Sequence, residues 1–131
     1  MPRSWPEHFP AGCPPEESEL ATGRIYRFVS GEAPTHDDFV SLQLENPTNS
    51  YGRMACQACG LSVFRDWAVC LYSQKVVPAL KKKKIAFGDL TPDHGAVMPT
   101  PSKMTERHHT WWLPDTVDAP EDLFIIAEDN G

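Results

Sequence analysis

The chain has no long apolar run. No hydrophobic stretch approaches the roughly 18 residues that a membrane-spanning helix needs, so a bilayer span is not expected. The first residues, Met1-Pro2-Arg3-Ser4-Trp5-Pro6, lack the apolar stretch of a secretion signal, and a cytoplasmic protein is expected. No glycine-rich phosphate loop and no G-x-S-x-G nucleophile elbow occurs. There is no internal repeat and no low-complexity tract. Cations are also scarce: 12 Lys and Arg against 18 Asp and Glu leave a net charge of −6, with a pI of about 5.2. An acidic protein repels a phosphate backbone at long range, so nucleic acid is an unlikely partner.

What remains suits one small domain. The 131 residues are 40% hydrophobic, enough to bury a core. The 13 prolines argue against long helices, because each removes a donor and clashes with the preceding turn. Residues 1–22 hold Pro2, Pro6, Pro10, Pro14 and Pro15 and read as an extended Pro-rich arm. Trp5 and Phe9 are four apart and can pin that arm to the body. Residues 23–131 read as a single α+β domain. Strands are expected over Arg24–Ser30, Leu61–Phe64, Lys84–Leu90, His108–Leu113 and Leu123–Ala127, with a shorter extended piece over Gly95–Thr100. Thr35 and Asp66 stand where helix N-caps belong. Asn46-Pro47 and Pro78 stop the two short helices that follow them. The expected fold is α+β: an antiparallel or mixed sheet of about five strands, with the two helices on one face.

Four cysteines offer several chemistries. Cys56-Gln57-Ala58-Cys59-Gly60 has the spacing and trailing glycine of a zinc knuckle, since two thiolates three apart on a tight turn can reach one ion. A structural zinc needs four ligands, and no second CxxC exists. The other two would come from Cys13, Cys70, His94, His108 or His109. Reduced thiols are the plainer reading for a cytoplasmic chain. Cys70 has core spacing on its helix and reads as a small buried hydrophobe.

The run His108-His109-Thr110-Trp111-Trp112 is the second candidate. On a strand His108, Thr110 and Trp112 face one way, while His109 and Trp111 face the other. The H-x-T pattern of two-histidine phosphoesterases appears once and has no second copy, which excludes that chemistry. Adjacent tryptophans must point apart, so one is expected at the surface, where an indole beside a histidine marks a binding face. Lys81 to Lys84 form a run that can hold phosphate or simply lead, solvated, into a strand.

Tyr26-Arg27 on the first strand, then Phe39-Val40-Ser41, then Gly60-Leu61-Ser62-Val63-Phe64 before a helix, together resemble small ADP-ribosyltransferase-type domains. The resemblance implies an NAD-using enzyme in which Arg27 holds the dinucleotide and Ser62 lies on the strand beneath it. A late glutamate would direct the chemistry, and the candidates are Glu106, Glu121 and Glu128.

Three functions are therefore carried forward. The first is a non-enzymatic binding or accessory module that presents His108, His109, Trp111 and Trp112 to a protein or small-molecule partner. The second is the NAD-using enzyme with Arg27 and Ser62 in a cleft. The third is an interaction module stabilised by zinc at Cys56 and Cys59.

Overall fold

Short apolar stretches separated by proline turns build one sheet with few helices. The computed structural model describes residues 5–102 and 105–127. Its strands are β1 (Glu19–Leu20), β2 (Gly23–Val29), β3 (Leu61–Phe64), β4 (Lys84–Leu90), β5 (Ala96–Pro99), β6 (His108–Trp112) and β7 (Ile125–Ile126). They form a single sheet in the order β1-β5-β6-β3-β2-β4-β7, and every neighbouring pair is antiparallel. The α+β class is as expected. The strand count is corrected from about five to seven, because the arm contributes β1 and the proline-bounded piece after Gly95 becomes β5. No helix is long and apolar enough to cross a membrane among the described residues.

The α-helices are α1 (Leu42–Glu45), α2 (Ala55–Ala58) and α3 (Trp67–Val76). The Asp66 side chain caps α3 by accepting from the Ala68 N–H at 2.9 Å, and Pro78 opens the turn beyond its end. The helix expected after Thr35 breaks into two pieces, a 3-10 turn over His36–Phe39 and then α1. Two local causes are visible. Ser41 starts a fresh helix by accepting from the Leu44 N–H, and the Asp38 carbonyl is taken by the Arg27 side chain instead of a helical N–H. The segment 46–59 forms a 3-10 turn and α2, which carries Cys56.

Strand alternation divides the core. Ile25, Val29, Leu61, Val63, Ala86, Val97 and Trp111 share one face, closed by Phe39 and Phe124. Tyr26, Phe64 and Ile85 share the other and pack beneath Trp67, Cys70 and Leu71 of α3. A third cluster joins Cys13, Cys59 and Trp112, with Trp5, Phe9, Cys56 and Met98 around them. Residues 5–22 of the arm thus lie against the sheet. They are held by β1, by Trp5 and Phe9 packed on the Trp112 cluster, and by a Cys13–Cys56 disulfide.

One irregularity positions the site. β2 pairs with β4 along its whole length, from Gly23 opposite Leu90 to Val29 opposite Lys84. Its register on β3 is a single position, Tyr26 opposite Phe64. Beyond that point the two strands part, and backbone groups on the inner edges need other partners.

Candidate functional site

Arg27 occupies the gap between the parted strands. It shares a strand face with Ile25 and Val29, and its guanidinium carbon lies 5.6 Å from the Phe39 ring centre. Nε donates to the Asp38 carbonyl at 2.8 Å, and Nη1 donates to the Ser62 carbonyl at 2.7 Å. The side chain therefore satisfies a β3 carbonyl where regular pairing has ended. Burial lowers its pKa from 12.5 to about 10, while Asp38 and Glu45 act in the opposite sense. It remains a cation at neutral pH, with no carboxylate hydrogen-bonded to it in the described contacts.

The parted strands open onto a cavity of about 510 Å³. This is the size of a small-molecule site. Arg27 and Phe28 line it from β2, Leu61, Ser62 and Phe64 from β3, and His108 and Thr110 from β6. α1 and α2 supply Leu42, Glu45, Gln57 and Ala58, and Lys83 closes the side before β4. Leu42 and Met54 remain more than half exposed at this opening although both are apolar.

A chain of polar contacts runs across the sheet side of the cavity. His108 is 8% exposed. Its Nε2 lies 2.8 Å from the Ser62 hydroxyl. Its Nδ1 lies 2.9 Å from both the carbonyl and the hydroxyl of Thr100. The Thr100 hydroxyl continues to that of Thr110 at 2.7 Å. The Phe64 ring meets the imidazole edge-on, with centres 5.7 Å apart. Burial lowers the His108 pKa from 6.5; the Thr100 carbonyl opposes this, whereas His109 and Arg27 add to it. The imidazole is accordingly neutral at pH 7. Gly60 is needed beside this network: a Cβ there would run into Thr110 Cγ2 and stand 3.1 Å from Trp112 Nε1.

The structure thus brings together Arg27, Ser62 and His108 from the expected set and separates the others. His109 points to the opposite face, as strand alternation requires, and its Nδ1 lies 3.0 Å from the Arg107 carbonyl. Trp111 and Trp112 are 0% and 1% exposed. Each indole N–H donates to a backbone carbonyl at 2.8 Å, Trp111 to His94 and Trp112 to Cys56. The exposed aromatic face is therefore corrected: both tryptophans are core residues, because Phe124 covers one face and the arm covers the other.

The expectation of reduced thiols is corrected at Cys13 and Cys56. Cys56 is bonded to Cys13, with Cα atoms 5.5 Å apart, and Cys59 is a separate buried thiol. A sulfur in a disulfide is no thiolate ligand, so Cys56 and Cys59 do not act as a zinc pair in this form. Among the described residues, no group of three or more His, Cys, Asp and Glu is placed to hold a metal. Cys70, on the sheet-facing side of α3, is fully buried, and burial raises its pKa to about 12.

Of the glutamates suggested for catalysis, Glu106 and Glu121 do not line the cavity. Glu121 faces His36 at 3.3 Å, and Glu106 is exposed in the turn before β6. Glu128 lies outside the described residues. Of the lysine run, Lys83 lines the cavity. Thr100 had no motif to mark it, and Gly60 was marked only as the trailing glycine of the cysteine pair and in the run leading to Ser62. Thr110 had a faint signal, since it follows His108 by two and must share its face.

No family model matches the chain, and neither does any curated protein or solved structure.

Proposed function

We propose that the cavity between β2 and β3 binds a small anionic ligand. The reading rests on one observation: Arg27, Ser62 and His108, on three strands, reach the same opening beside Lys83. A half-buried cation without a hydrogen-bonded carboxylate in the described contacts favours an anion, because transfer of charge into a partly dry site strengthens its attraction. Two hydroxyls and an imidazole supply the convergent polar groups that fix orientation in otherwise apolar pockets. Glu45, at the exposed rim, disfavours a ligand that carries negative charge at both ends. This reading keeps a small-molecule binding module as the main function and moves its site from the tryptophans to the cavity.

NAD is the specific ligand that the ADP-ribosyltransferase resemblance implies. Its support is the contact between Arg27 and the Ser62 segment in one cleft. The late-strand residue at Ser62 is His108 rather than a glutamate, which favours binding over the expected glutamate-directed transfer. Calorimetry with NAD, ADP-ribose and inorganic pyrophosphate tests the proposal. Heat from at least one, reduced tenfold or more by Arg27→Lys, is expected. No heat from any of the three, in protein that remains folded, refutes it. The compartment is a separate question. A disulfide persists in oxidising surroundings, so the Cys13–Cys56 bond weighs against the cytoplasmic reading.

A further inference from the structure

The geometry points to Ser62 as a nucleophile activated by His108, and to the cavity as the site of hydrolysis of small carboxylic esters that carry an anionic group. This rests on the anion-binding reading for the substrate's charge, but not for the pair itself.

Proton placement carries the argument. A backbone carbonyl only accepts, so the 2.9 Å contact between His108 Nδ1 and the Thr100 carbonyl requires the proton on Nδ1. In a neutral ring the other nitrogen, Nε2, then carries a lone pair. The Ser62 hydroxyl, 2.8 Å away, must donate to it. Thr100 reinforces this tautomer. Its hydroxyl accepts from Nδ1 and passes its own proton toward Thr110. A hydroxyl that donates to an imidazole held from behind by an oriented acceptor is the arrangement by which serine becomes a nucleophile. Thr100 is the positioning residue.

Access and charge fit the same role. Ser62 is exposed on the cavity side, while His108 is buried behind it. An ordinary structural serine has no need of both. Arg27, whose Nη1 donates to the Ser62 carbonyl, lines the same cavity and supplies a positive charge near which an acyl oxygen could become negative.

The reaction balances without a cofactor. Ser62 Oγ bonds to the acyl carbon as its proton passes to His108 Nε2. The carbon–oxygen bond to the leaving alcohol breaks, and that oxygen takes the proton from Nε2. Water then attacks the acyl-serine and gives its proton to Nε2, which returns it to Ser62 Oγ. Ester and water become acid and alcohol.

The test is covalent labelling with an alkyl fluorophosphonate, read by intact mass and peptide mapping. One adduct at Ser62 is expected, absent from Ser62→Ala. Labelling of His108→Gln should be slower by about 100-fold or more, the scale of general-base catalysis. Because His108→Gln removes a buried group, a second readout uses Ser62→Cys, whose surface position leaves the core intact. Its thiol should react with iodoacetamide at pH 7 at least about tenfold faster than an unperturbed cysteine. No adduct on the native protein, an equal adduct on Ser62→Ala, or an unreactive Cys in Ser62→Cys overturns the proposal. The probe carries no anion, so labelling without any calorimetric heat would uphold the nucleophile and refute only anion binding. Heat without labelling would do the reverse.

Discussion

Removing the Cys13–Cys56 disulfide tests how the arm is held. The perturbation is Cys13→Ser, compared with chemical reduction of the native chain. The bond joins residues 43 apart in sequence. Closing a loop of that length removes chain entropy from the unfolded state equivalent to about 4 kcal/mol at 25 °C. Domains of this kind are stable by only about 5–15 kcal/mol, so the loss is a large fraction. Packing adds in the same direction, because Trp112 donates to the Cys56 carbonyl and clusters with Cys13, Trp5 and Phe9 of the arm. The assay is urea unfolding followed by tryptophan fluorescence, with and without dithiothreitol. The midpoint should fall by the same amount in Cys13→Ser as on reduction, and the variant should not respond to reductant. A thiol count on denatured, unreduced protein should find two, Cys59 and Cys70. Four thiols, or a loss below about 1 kcal/mol, refutes the reasoning and reopens the zinc reading of Cys56 and Cys59.

Arg27→Ala leaves the Asp38 and Ser62 carbonyls without their present donors. Charge-assisted bonds of this type contribute about 1.5–3 kcal/mol each, so urea unfolding should show a loss of about 3 kcal/mol; a loss under 1 kcal/mol contradicts the wedge role. Gly60→Ala places a Cβ against Thr110 and Trp112 and should cost about 1–3 kcal/mol. Thr110→Ser deletes the clashing methyl, so the double variant should be more stable than the sum of the two single losses; strict additivity refutes the steric account. Burial holds His108 below its ordinary value of 6.5. The unfolded chain therefore takes up this proton first as pH falls, and stability is lost as pH drops through about 6.5. An NMR titration of the His108 ring should give a pKa below 6.5, and a value above it removes the neutral base.

The elements that were legible are those whose signal is local. β2, β3, β4 and β6 follow from short runs of apolar and aromatic residues bounded by turn residues, and α3 follows from the Asp66 cap and Pro78. β1 was hidden because Glu19 and Leu20 are both exposed and carry no alternation. The split facing of His108 and His109 was also readable, since the strand period is two. Their neighbours were not. Which face solvent reaches depends on Phe124 and the arm, which approach from distant parts of the chain. The site was half legible in the same sense. Arg27, Ser62 and His108 were all singled out, but for two different functions. Their meeting depends on sheet order, which puts β6, β3 and β2 side by side. Thr100 lies in a proline-flanked turn, and only the fold shows that it orients His108.

The parting of β2 and β3 explains why structure and site cannot be separated here. A regular ladder at this place would satisfy the Ser62 carbonyl with a β2 N–H and leave no room for a ligand. The strands instead pair only at Tyr26 and Phe64, and a side chain completes the sheet. Arginine suits that task because its fork donates to two carbonyls from one rigid plane. A lysine can satisfy one carbonyl at most in the same geometry, and an apolar residue neither. The group that repairs the gap is a cation, so the cleft it holds open is positively charged from the start. Ser62 then sits on the strand released by the gap, with its carbonyl fixed by Arg27 and its hydroxyl fixed by His108. A substitution at Arg27 must therefore change binding and folding together, whereas Ser62→Ala leaves the Arg27 contact to the Ser62 carbonyl in place and removes only the hydroxyl that meets His108.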